Sequence, residues 1–221
     1  MDRVTTVIIT PLYEAGVDQK TMYISLRDDA TDAAPELRPL QRVPNRDANG
    51  DVNHYEEAGE NLDRMWRTKL GRHLYEYVVK EDLEKQDIRL PYPPDEIILV
   101  NLPKHYTLWV HKKGNAVDPR TDAYLRGSHF VHQFRSPLEF CNHLKWLLDG
   151  QPMKANGKPA CECRYCDGSR PQAEISQGFG VYHKRDPHSG GGKAGKGGKG
   201  SGGKPRASTS TTITYKDYRK W

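Results

Sequence analysis

Three cysteines within six residues, Cys161, Cys163 and Cys166 in Cys-Glu-Cys-Arg-Tyr-Cys, constrain this chain more than any other feature. Thiols at this density either oxidise or hold a metal, because the thiolate is both the nucleophile and the ligand. Gly157 and Pro159 before the run, and Asp167-Gly168 after it, are turn formers that let the backbone wrap an ion. The first ten residues hold no apolar run of signal-peptide length, and nothing later approaches the ~20 apolar residues of a membrane span. A soluble, intracellular protein is expected, and in a reducing compartment such a cluster reads as metal ligands rather than disulfides.

Structural zinc takes four ligands in a tetrahedron, and the cysteine run supplies three. The fourth is sought upstream, where Ser136-Pro137-Leu138-Glu139 announces a helix: a Ser N-cap, Pro at the first helical position, and Glu placed to complete a capping box. Phe140, His143, Leu144 and Leu147 then recur at i, i+3, i+4 and i+7, which places His143 on the inward face, and Gly150 and Pro152 end the helix. His143 is the leading fourth ligand and Cys141 the second choice, with His129, His132 and His183 behind them. A closed site of three thiolates and one imidazole leaves no position for a reactive water, so its role is structural.

The remaining elements are read from periodicity. Val4 to Thr10 and Thr21 to Leu26 read as strands, and Ile97 to Val100 and Tyr106 to His111 as two shorter ones. Glu60 to Lys80 reads as a helix with Leu62, Met65, Trp66, Leu70, Leu74, Tyr77 and Val78 on one face. Trp109 and Trp146, flanked by aliphatic residues, read as core. The polar stretch 27–58 reads as an exposed, flexible loop, and Asp118 to Gly127 as an ordered one. The expected fold is α+β: a small mixed domain of short strands, two main helices and a zinc site over residues 1–181, followed by a disordered tail over 182–221.

The net charge of +5 is unevenly spread: residues 189–221 carry +7 and residues 1–188 carry −2. The folded part is therefore not expected to track phosphates, whereas the Gly/Lys-rich tail, with Lys193, Lys196, Lys199, Lys204 and Arg206, is a candidate for non-specific contact with DNA or RNA. The tail's Gly-rich core has no aromatic side chain for stacking, which argues against sequence preference. No phosphate-binding Gly loop, His-Glu-x-x-His or Gly-x-Ser-x-Gly occurs, so neither an enzyme nor a small-molecule substrate is expected.

Asn-Leu-Pro-Lys-His-Tyr-Thr-Leu at 101–108, Arg-Thr-Asp-Ala-Tyr-Leu-Arg-Gly at 120–127, Phe-Arg-Ser-Pro-Leu-Glu-Phe-Cys-Asn-His-Leu-Lys-Trp-Leu at 134–147 and the cysteine run occur in this order. Together they resemble the N-terminal domain of the cryptic loci regulator family of fungal transcription-silencing proteins, most closely over 101–167. The resemblance implies a nuclear, non-enzymatic subunit of a heterochromatin repressor assembly containing a histone deacetylase and a nucleosome remodeller, with silencing-complex proteins as partners. It also implies zinc on Cys161, Cys163, Cys166 and His143. The rival expectation is a nucleic-acid-binding zinc protein that grips phosphates through its tail.

Overall fold

The computed structural model describes residues 5–33, 40, 42–90 and 93–179. It divides into two units, Met1–Ile175 and Ser176–Trp221. The candidate site and both sheets lie in the first. The tail residues proposed to meet phosphates, and His183, lie outside the described residues.

The first sheet has the order β1 (Thr5–Ile9), β2 (Tyr13–Asp18), β3 (Thr21–Leu26) and β5 (Glu96–Leu99). β1, β2 and β3 form an antiparallel meander, and β5 joins β3 in parallel. The Thr10 hydroxyl makes the first turn by accepting from the backbone N–H of Tyr13 at 3.0 Å and donating to its carbonyl at 2.9 Å. β2 was not expected from sequence, since Glu, Gly and Asp interrupt its apolar residues; its order comes from pairing on both sides.

Between β3 and β5 the chain makes β4 (Asp51–Glu57) and a long helix. The helix is α1 (Glu60–Leu74), a π-helical stretch Tyr75–Val79, and α2 (Lys80–Lys85). The expected helix is present, but its far end faces differently. A π turn takes up extra residues per turn and rotates the faces of the residues beyond it. Tyr75, Val79 and Leu83 are buried, while Tyr77 is exposed and Val78 only half-buried. At Gly71 the helix comes so close to β5 that an added Cβ would lie 2.6 Å from the Leu99 backbone nitrogen.

The second sheet, β4-β6-β7, is antiparallel and corrects two expectations. Residues 51–57 are not loop but β4, and Arg120–Arg126 are not loop but β7. β6 (Thr107–Asn115) runs four residues beyond His111 and pairs with both. Consecutive polar residues, Asn53 and His54 in β4 and His111 to Lys113 in β6, hid the period of two, because cross-strand pairing rather than apolar content fixes these strands. Asp47 starts β4 by accepting from the N–H groups of Asn49 and Asp51 at 2.8 and 3.0 Å.

α3 (Pro137–Leu148) forms as its sequence predicts, and the Ser136 hydroxyl accepts from Glu139 N–H at 3.3 Å. The carboxylate of Glu139 turns back to Arg135 N–H at 2.7 Å rather than to the cap residue itself. Phe140, His143, Leu144 and Leu147 are fully buried, and Trp109 and Trp146 are core as expected. The class is mixed α+β, with a short α4 (Gln172–Gly178) in addition to the two main helices.

Candidate metal centre

The turn carrying the cysteines is fastened to α3 before any ion is considered. Asn142 Nδ2 donates to the Glu162 carbonyl at 3.3 Å, and the Tyr165 hydroxyl donates to Glu139 Oε2 at 2.8 Å. The approach from α3 is set by Trp146, whose indole N–H donates to the Pro152 carbonyl at 2.8 Å, and by Ala160 N–H, which donates to the same carbonyl at 2.9 Å. Within the turn, Cys163 N–H donates to Cys161 Sγ and Cys166 N–H to Cys163 Sγ, each at 3.4 Å. Such N–H···S contacts favour the thiolate forms that bind metal.

These constraints bring His143, Cys161, Cys163 and Cys166 together, with their ligand atoms all within 4.8 Å of one another. His143 Nδ1 lies 3.6 Å from Cys161 Sγ, 3.9 Å from Cys163 Sγ and 3.5 Å from Cys166 Sγ. Bonds of about 2.3 Å to sulfur and about 2.0 Å to nitrogen at tetrahedral angles put N and S about 3.5 Å apart. The donor set and its spacing therefore fit a tetrahedral ion. Cys141 is buried but stands outside the group, as its position on the helix indicated. His129 and His132 do not enter it either.

The imidazole is locked from every side. Phe134, Phe140 and Trp146 place their rings 5.1, 5.9 and 5.0 Å from that of His143. Its second nitrogen, Nε2, faces Asp32 Oδ2 at 3.3 Å, and both side chains are shut off from solvent. Asp32 also accepts from the Tyr106 hydroxyl and, at 2.7 Å, from the Ser128 hydroxyl. Sequence reasoning missed Asp32, which lies 111 positions before its histidine in a stretch read as flexible loop. No local pattern marks it.

The electrostatics are set by this packing. Burial alone would lower the pKa of His143, but Asp32 first, then Cys163 and Cys166, hold it well above the ordinary histidine range. Burial alone would raise Asp32, yet His143, Tyr106 and Ser128 hold it below the usual carboxylate range. Contact with Cys161 and Cys166 pushes the Cys163 thiol down, whereas contact with Cys163 and Cys166, and then burial, pushes Cys161 up. Cys161, Cys163 and Cys166 as thiolates and His143 through a neutral Nδ1 would hold a divalent cation, which would cross-link the turn to α3. By contrast, burial pushes the Cys141 thiol up and keeps it protonated.

The fold and this geometry define a mixed α+β domain with a closed Cys3His group able to hold a metal ion. Residues 97–166 match the family model described as transcription-silencing protein, cryptic loci regulator Clr2. Over that segment the chain is similar to the cryptic loci regulator family, the resemblance its motifs indicated. A solved structure of Clr2 bound to the Clr1 C-terminus is similar at 21% identity with a TM-score of 0.41, over 67% of this chain and 31% of that one. This chain therefore corresponds to about a third of that relative's length. A search of curated proteins returns no match. Among the described residues, no helix is long and apolar enough to cross a membrane.

Proposed function

We propose that this chain is a non-enzymatic interaction module of a nuclear transcription-silencing complex, and that zinc on His143, Cys161, Cys163 and Cys166 stabilises it. The observation that carries the proposal is the coincidence of the two signals: the family match over 97–166 ends on Cys166 and contains all four candidate ligands. Zinc suits three thiolates and an imidazole in a small tetrahedron better than hard cations do, since those prefer oxygen. All four positions are taken by protein, so the ion supplies cross-linking and no reactive water.

The partners under this reading are protein subunits of a heterochromatin repressor assembly containing a histone deacetylase and a nucleosome remodeller. Lys193, Lys196, Lys199, Lys204 and Arg206 add salt-dependent, sequence-independent contact with DNA or RNA phosphates. The domain boundary is placed at 181/182. Affinity purification from native cells tests the assembly: recovery of a deacetylase or remodeller subunit supports it, and repeated recovery of neither refutes it. A nucleic-acid titration tests the tail. Deleting residues 189–221 is expected to abolish binding, and sequence-specific binding retained by residues 1–188 would favour the rival nucleic-acid reader.

A further inference from the structure

We infer that Asp32 is the positioning residue of this metal centre: its carboxylate holds His143 as the tautomer with the proton on Nε2, and so aims Nδ1 at the three sulfurs. The inference rests on the metal reading above. An imidazole has two nitrogens, and the hydrogen bond made by one decides which is free to bind metal. Here Nδ1 is 3.5–3.9 Å from the sulfurs and Nε2 is 3.3 Å from Asp32 Oδ2, with both side chains excluded from water. A carboxylate in that position keeps the ring from turning over and raises its basicity toward a cation.

The same residue joins a distant segment to the site. Asp32 takes Tyr106 on one oxygen and shares the other between Ser128 and His143. Its neighbours are fastened independently of the imidazole. Thr31 Oγ1 donates to the Lys104 carbonyl at 2.7 Å, Gln151 Nε2 donates to the Asp29 and Thr31 carbonyls at 3.0 Å each, and His129 N–H donates to the Asp32 carbonyl at 3.1 Å. The backbone that presents the carboxylate is therefore seated even when the carboxylate is changed, which makes its contribution to the metal separable.

Competition titration of zinc against a chromophoric chelator, on the full chain, reads that contribution. Asp32→Ala is expected to weaken zinc roughly 10- to 100-fold. Asp32→Asn keeps the shape and an acceptor oxygen, and is expected to recover much of the loss. Tyr106→Phe removes a donor to Asp32 but leaves the Nε2 contact, and is expected to change affinity little. Nitrogen-15 NMR of the zinc-loaded protein should show the His143 Nε2 proton, and Asp32→Ala should shift it or lose it to exchange. Unchanged affinity and an unchanged Nε2 signal in Asp32→Ala would overturn the inference. So would a Tyr106→Phe loss equal to that of Asp32→Ala, since Asp32 would then act only by anchoring its segment. Failure of the unaltered protein to bind zinc would instead overturn the metal reading itself.

Discussion

His143 and Cys141 sit two positions apart on one helix, and both are buried. Only His143 faces the cysteine turn, so the two give opposite predictions. Replacing His143, Cys161, Cys163 or Cys166 by alanine should abolish stoichiometric zinc, whereas Cys141→Ala should leave one zinc per chain, as measured by metal analysis of the purified variants. The four residues that come together were legible in sequence because each announces itself locally, by thiol density or by position on a capped helix. Asp32 was not, because its role exists only after folding brings it to Nε2. His73 gives a separate prediction. Burial first, and then the charge of Lys145, lower its pKa to about 4. The unfolded chain, with an ordinary value of about 6.5, then binds the proton more readily. The resulting stability is complete above about pH 6.5 and is lost as pH falls through about 4, on the order of 3 kcal/mol. Denaturant titrations of His73→Gln should show a shallower loss than the unaltered protein between those limits.

At the scale of elements, α3 was readable from its own residues, since Ser136, Pro137 and Glu139 encode its start. Ser136→Ala should cost about 1 kcal/mol in denaturant unfolding, the loss of one N-cap bond. α1 was readable as far as Leu74. The π stretch after it rotates the buried face from Tyr77 and Val78 to Tyr75, Val79 and Leu83, and no apolar periodicity foretells an inserted residue. β4 and β7 were read as loops because their order comes from β6 between them, a pairing that no window of either sequence contains. The contact of α1 with β5 depends on glycine at 71. Gly71→Ala should destabilise the fold by about 1–3 kcal/mol through overpacking, because the added methyl meets the backbone of Ile98 and Leu99 rather than a movable side chain.

Across the molecule, the metal group stands where several separately encoded pieces meet: α3, the cysteine turn, and, through Asp32, the segment before the second sheet. Gly127 marks how closely they approach, for a Cβ there would lie 2.4 Å from the Tyr106 ring whose hydroxyl reaches Asp32. Structural zinc contributes on the order of 10 kcal/mol to folding in small peptides, comparable to the whole stability of many domains. Chelation should therefore unfold the region from about Tyr106 to Cys166, which hydrogen exchange would report as a loss of protection in β6, β7 and α3. The α+β class was legible from sequence because its longest helices and the strands β1 and β3 are locally encoded. The second sheet and the wiring of the imidazole were not, because both arise from contacts distant in sequence. X-ray absorption at the zinc edge of the purified chain tests the central claim most directly. The account predicts one zinc per chain with three sulfurs at about 2.3 Å and one nitrogen at about 2.0 Å. Protein free of zinc, or a shell of four sulfurs that recruits Cys141, would contradict it.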